Sequence, residues 1–338
     1  MGRGLSSNRL SLWELIKPRA ARLRGAYEIS SFQEDTHPSP QPSPRGRGGC
    51  HNTLTPHPNV VLPLITSLVA FAFCGVLLGR FVERRRAYYF VWTLGLLWYA
   101  LATASEAAGG ALGWNPGLYR LWYLTGAIGV AAYLGAGTVY LHRDPSFGSL
   151  TVVCVLGASV PGLVANHLDV GFAGLATAIV LTAVLSWRPR WFAHAVFVAL
   201  VAACLVATVR VLNAGVDPGL LPASPDQVVS GQALDADTRA LTPPFNISGA
   251  LVLILGAVIS ALRFWRTGTL PSGVSSNVLI AVGAFVPSVA SGLTRFGITS
   301  LFFPGELLGL ACILAGFLLS GSSSARPSPG PSASTGPS

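Results

Sequence analysis

Five ionisable residues stand inside apolar runs or at their edges: Glu106, Arg120, Arg210, Arg295 and Glu306. Two acids and three bases at membrane depth are the materials of a binding site, because a charge in hydrocarbon is costly unless it is paired or hydrated. Glu106 ends one run, Arg120 opens the next, and Arg210 lies near the end of a later one. Arg295 follows the penultimate run, and Glu306 falls in the first turns of the last. All five project to the same third of the bilayer. The expectation is an outward-facing polar pocket in which Glu106 and Glu306 each pair with one of the arginines. The alternative is that each side chain snorkels separately to the headgroups.

Other chemistries find little support. His142 and His194 fall at one membrane edge and His167 at the other, so they lack the matched depth that a membrane haem needs. His142-Arg143-Asp144 spells the start of a kinase catalytic loop, but the remaining kinase signatures are missing. No Walker A sequence, HExxH pair or GxSxG elbow with a triad occurs, and no run holds two acids for intramembrane proteolysis. The single lysine, Lys17, lies outside the apolar region, which excludes a membrane Schiff base. Cys50, Cys74, Cys154, Cys204 and Cys312 form no CxxC pair and read as small apolar residues, with no zinc site or disulfide framework. No catalytic residue, metal or cofactor is expected, and the balance points away from an enzyme.

The elements that must position the five residues are membrane spans. Of 338 residues, 51% are hydrophobic and 10% charged, whereas soluble domains carry about 25% charged residues. About 20 apolar residues cross the hydrocarbon as a helix. Nine runs meet or approach that length: 60–79, 88–108, 118–141, 149–166, 170–187, 192–213, 245–264, 274–293 and 301–320. The expected fold is all-α, a polytopic transmembrane helical bundle of about nine spans over 58–320. Pro161 and the polar Asn166 to Asp169 divide the fourth run from the fifth. Pro287 and several serines make the eighth the weakest, with a re-entrant segment as its rival.

The net charge of +9 does not signal nucleic acid, because the arginines are scattered between apolar runs. Alternating spans place Arg80, Arg84, Arg85, Arg86, Arg143, Arg188, Arg190, Arg263 and Arg266 on one side, and Arg120, Arg210, Arg239 and Arg295 on the other. The positive-inside rule makes the first side cytoplasmic. The N-terminus is then outside and the C-terminus inside, in a bacterial cell (inner) membrane. Tyr88, Tyr89, Trp187, Trp191, Phe264 and Trp265 mark the cytoplasmic interface, and Trp114, Tyr119 and Trp122 the outer one. The long outer loop, 214–244, is acidic and proline-rich, and reads as a connector or as a lid over the pocket; Thr242 and Asn246 are candidate caps for the span that follows.

Residues 1–57 and 321–338 are rich in Pro, Ser, Gly and Arg, a composition that cannot bury a core, so both are expected to be disordered. The segment 36–49 resembles translated bacterial intergenic repeats, so much of 1–57 is expected to be an over-extended reading frame.

The stretch RRR at 84–86, WTLGLLWYALATASEAAG at 92–109 and GWNPGLYRLWYLTGAIGVAAYLGAGTVYL at 113–141 resembles an uncharacterised family of bacterial polytopic membrane proteins. That likeness extends through TRALTPPFNISGALVLILGAVISA at 238–261 and implies no activity. More loosely, the aromatic and acidic spacing is similar to the seven-helix membrane sensor modules that precede histidine kinases, although no kinase or cyclase output domain is attached. Three function classes follow. A ligand-binding or sensing module would use the outer pocket and pass its signal to a membrane protein partner. A small-molecule or ion transporter would need a path through the bundle, and no internal repeat of the kind transporters show is evident. A scaffold or assembly factor would need neither. The partners expected are the lipid bilayer and that membrane protein.

Overall fold

An apolar run away from water must satisfy its own backbone polar groups, and a helix does this within the run. In the computed structural model, which describes residues 57–268, 271–294 and 296–322, nine helices are long and apolar enough to cross a membrane. They are α1 (Pro58–Arg84), α2 (Ala87–Leu112), α3 (Pro116–Leu141), α4 (Pro145–Val164), α5 (Leu168–Trp187), α6 (Pro189–Asn213), α7 (Thr242–Thr267), α8 (Pro271–Thr294) and α9 (Phe302–Ser322). The chain is a multi-pass, all-α membrane protein, and no β-strand occurs among the described residues. Apart from His57, Gly321 and Ser322, the expectations for the two ends concern residues outside the described ones.

Helix boundaries follow local chemistry. Proline occupies the first turn of α1, α3, α4 and α7, where its missing N–H has no helical partner to lose. The side chains of His57, Asn115 and Asp144 accept from backbone N–H groups at the starts of α1, α3 and α4. α4 and α5 are separate, as Pro161 and the polar break require. The chain reverses at Asn166, which takes a left-handed φ of 62°, while His167 N–H donates to the Gly162 carbonyl at 2.8 Å. The eighth span is one continuous helix through Pro287 rather than a re-entrant segment, with α9 Gly309 packed directly against the proline ring.

The helices form two rings that share α3 and α7. One ring runs α1–α2–α3–α7–α8–α9 and closes back on α1; the other runs α3–α7–α4–α5–α6 and closes on α3. The shared seam is tight because it is made of glycine. A Cβ on Gly135 of α3 would lie 2.7 Å from the Gly249 carbonyl oxygen of α7, so small residues set the helix separation here. Within the first ring, Ala70, Phe73, Leu77, Leu96, Ala100, Leu134, Leu253 and Leu310 form a dry core. The outward faces of α5 and α6 carry exposed Ile179, Val180, Val198, Leu205 and Val209, an apolar surface suited to lipid.

The two ends of the bundle differ. One carries the short turns containing Arg84 to Arg86, Arg143 and Arg188 to Arg190, and will be called the arginine end. The other carries the 214–241 segment and will be called the capped end. At the arginine end Asp144 both caps α4 and accepts from Arg263 at 2.6 Å, and this arginine holds its carboxyl below the usual carboxylate range. His142 stacks on Phe147 and lies 3.2 Å from Ser260 Oγ. Burial, with the Arg263 charge adding to it, lowers the His142 pKa from its ordinary 6.5, against an opposing pull from Asp144.

Two outcomes follow. Gly135→Leu should destabilise the bundle by about 1–3 kcal/mol or more through overpacking, read by thermal unfolding in detergent; an unchanged melting temperature would contradict the shared-seam packing. Because His142 binds its proton less readily folded than unfolded, its neutral form supports the fold above pH 6.5. That support is lost as pH falls below this value. His142→Asn should therefore flatten the acid limb of a stability–pH profile, and a limb as steep as the parent's would refute this assignment.

Candidate functional site

Glu106 lies six residues before the end of α2, and Glu306 four residues into α9. At 1.5 Å per residue both stand about 6–9 Å inside the capped end. Glu106 is 3% exposed; Glu306 is half-buried as a residue, but its Oε2 is enclosed. Their side chains lie next to each other. Glu106 Oε1 accepts from Trp122 Nε1–H at 2.8 Å, and Tyr99 O–H donates to the Glu306 backbone carbonyl at 2.9 Å. No N–H or O–H group reaches Oε2 of either acid. Two carboxylate oxygens are both acceptors, so the contact is a hydrogen bond only when one carries a proton. Two such neighbouring carboxyl groups form a dyad that can share a proton.

Aromatic rings cover it. Trp122 packs between Trp114, Tyr119 and Tyr123, with ring centroids 6.1, 5.5 and 6.2 Å away. Tyr119 is fully buried and Trp122 nearly so. Both rings pack inside the bundle, whereas Trp187, Trp191 and Trp265 at the arginine end are exposed. Directly after Trp122, residues Tyr123–Gly129 wind as a π-helix. Such a bulge rotates a helix locally and is frequent at functional sites. The smallness of Gly126 and Gly129 admits α2 here, since a Cβ on Gly129 would lie 2.9 Å from Trp98.

The 214–241 segment folds over these rings rather than running as a bare connector. Tyr119 O–H donates to the Ser230 carbonyl at 2.7 Å, Tyr123 and Thr242 hydroxyls meet at 2.5 Å, and Val229, Ala233 and Leu234 are buried against the aromatic cluster. Asp217 N–H bonds the Ala233 carbonyl, and Val216 pairs with Leu234, closing the segment on itself. Asp226 holds His57 at 2.8 Å, and Asn59 donates to the Pro225 carbonyl at 2.9 Å, tying the cap to α1. Thr242 serves Tyr123 rather than acting as an N-cap; Leu241 occupies the cap position of α7, and Asn246 lies inside the helix.

Of the five sequence-derived residues, the structure brings together Glu106 and Glu306. Among the described residues the acids pair with neither Arg120 nor Arg210. Arg120 donates through Nη2 to the Ala214 carbonyl at 2.8 Å, with its Nε buried and without an acceptor. Arg210 pairs with Asp169 at 2.7 Å. Arg295 lies outside the described residues. The physical reason is azimuth: Arg120 lies two residues from Trp122, about 200° around the helix at 3.6 residues per turn, so it faces the cap and not the acids. Trp122, Tyr99 and the Ser230 carbonyl are the partners that sequence reasoning missed. Among the described residues no group of three or more His, Cys, Asp and Glu side chains is placed to hold a metal.

No protein-family model matches the chain, and neither curated proteins nor solved structures give a significant match.

Trp122→Phe removes the N–H donor that the described residues give Glu106. It should cost about 1–3 kcal/mol, read by thermal unfolding in micelles. Tyr99→Phe, which frees only a backbone carbonyl, should cost less. Equal stability of parent and Trp122→Phe would show that the indole–carboxylate bond contributes nothing.

Proposed function

We propose that the chain is a membrane-embedded binding module whose centre is the Glu106–Glu306 dyad, and that the bound species is a proton, exchangeable for a small cation. The carrying observation is the enclosed contact of two carboxyl groups whose Oε2 atoms have no donor. A site with two acceptors facing each other favours a positively charged occupant, and losing that occupant leaves two acids repelling across α2 and α9.

The surroundings favour sensing over transport. Towards the arginine end the first ring is filled by Leu96, Ala100, Phe73, Leu77 and Leu310, all nearly solvent-free. That core supports a blind site rather than a through-path. Towards the capped end, Trp122 touches Glu106 and packs on Tyr119, which in turn holds Ser230. Occupancy at the dyad is thus mechanically linked to the cap. In this reading the capped end faces outward and the arginine end the cytoplasm of a bacterial cell, by the arginine bias. The output passes to a membrane protein partner, in the manner of the seven-helix sensor modules that the sequence loosely resembles.

The link is testable with a thiol placed on the cap. Ser230→Cys should react with a membrane-impermeant maleimide at a rate that changes with external pH in the parent background. In Glu106→Gln and Glu306→Gln backgrounds the rate should follow only thiol ionisation. An identical pH profile in all three would remove the coupling between dyad and cap.

A further inference from the structure

The arginine end holds a second polar feature, far from the dyad and independent of it. A cavity of about 580 Å³ is lined by Arg84, Arg86, Tyr88, Tyr140, Leu141 and Arg143. The three arginines come from two different turns. α1 stops at Arg85, which takes the left-handed conformation at φ 50° and ψ 35°, and α2 begins two residues later. This tight reversal places Arg84 and Arg86 on either side of one residue, while Arg143 arrives from the turn after α3. Left-handed φ at a non-glycine residue is uncommon and costs energy unless local packing requires it.

The charges around this cavity are not balanced by protein. The acids nearest in sequence are Glu83, which does not line it, and Asp144, already committed to Arg263 and to the start of α4. Among the described residues none of the three arginines has an acid within ion-pair distance. The cavity walls add two phenols. Tyr140 is buried, with its hydroxyl 2.9 Å from His194 Nδ1, and Tyr88 packs at a tilt on Tyr89 and edge-on to Trp92. Three guanidinium groups and phenolic hydroxyls around one hollow form a donor-rich, acceptor-poor cradle. Guanidinium forks match the tetrahedral oxygens of phosphate bidentately, which ammonium groups and single charges do not.

We infer that this cavity is a binding site for a phosphate-type anion, either the phosphomonoester headgroup of a lipid or a free soluble phosphate. The cavity is several times larger than one phosphate group requires, leaving room for the glycerol or sugar that carries it. It opens where lipid headgroups lie if α2 and α3 span the bilayer. Filling it cancels the repulsion among Arg84, Arg86 and Arg143 and holds the α1–α2 turn to the end of α3.

The test uses the full chain in phosphatidylcholine nanodiscs, with unfolding followed by tryptophan fluorescence. One arm titrates inorganic phosphate against chloride at matched ionic strength. The other incorporates phosphatidic acid at increasing mole fraction against phosphatidylserine at the same charge. The site predicts a saturable rise in melting temperature with at least one phosphate probe. The apparent affinity should weaken at least about tenfold in R86Q/R143Q, as expected for two lost charge-assisted hydrogen bonds. R188Q/R190Q, at another turn of the same end, should leave the affinity unchanged. A response to inorganic phosphate identifies a soluble ligand, and a response to phosphatidic acid alone identifies a headgroup. Without probe, R86Q/R143Q should melt no lower than the parent, because repulsion is relieved; if it fails to fold, R86Q, R143Q and Y140F singly carry the affinity comparison. No saturable response to either probe, or equal weakening in R188Q/R190Q, would overturn the site in favour of diffuse surface charge.

Discussion

A carboxyl group more than a helical turn inside a membrane span needs a donor, and here two such groups lie side by side. Glu106 of α2 and Glu306 of α9 meet with their second oxygens shut away from every N–H and O–H group. In the proposed reading, a proton between them is what stabilises the contact. Everything at the capped end can be understood as maintaining that condition. Trp122 fixes one oxygen of Glu106, Tyr99 fixes the backbone of Glu306, and Trp114, Tyr119 and Tyr123 pack around Trp122. The 214–241 segment then seals the rings by hydrogen bonds to their hydroxyls.

The two-ring arrangement explains how such a contact is held. α2 and α9 belong to the same ring, and its closure through α1 brings the two acids to one depth. The shared α3–α7 seam, drawn close by Gly135 and Gly249, sets the angle from which Trp122 reaches α2. The π-helical Tyr123–Gly129 follows immediately. A buried acid pair lies at one end and the Arg84, Arg86 and Arg143 cluster at the other, and a leucine and alanine core separates them.

Much of this was legible in the sequence, and the parts that were not share a cause. Hydropathy alone located nine spans, because the cost of unsatisfied backbone in hydrocarbon depends on run length. The same cost singled out Glu106 and Glu306 as the acids requiring explanation. Their partners were misassigned because sequence reports depth but hardly azimuth between helices. Arg210 meets Asp169 across α5 and α6, and Arg120 meets a carbonyl of the cap, while Trp122 carries no charge to advertise its role. The π-helical turn is equally silent, since Gly126 and Gly129 read as ordinary packing glycines. The 214–244 loop showed its length and acidity, but its order depends on Tyr119 and Tyr123, residues of a distant span.

The shared proton is the claim on which the functional account rests, and infrared spectroscopy addresses it directly. Difference spectra of the protein in lipid at neutral pH, compared with Glu106→Gln and Glu306→Gln, should show a protonated carboxyl C=O band in the parent that is perturbed or lost in both variants. Spectra in which both side chains carry only the ionised carboxylate stretch, with no protonated band for either variant to remove, would contradict the account.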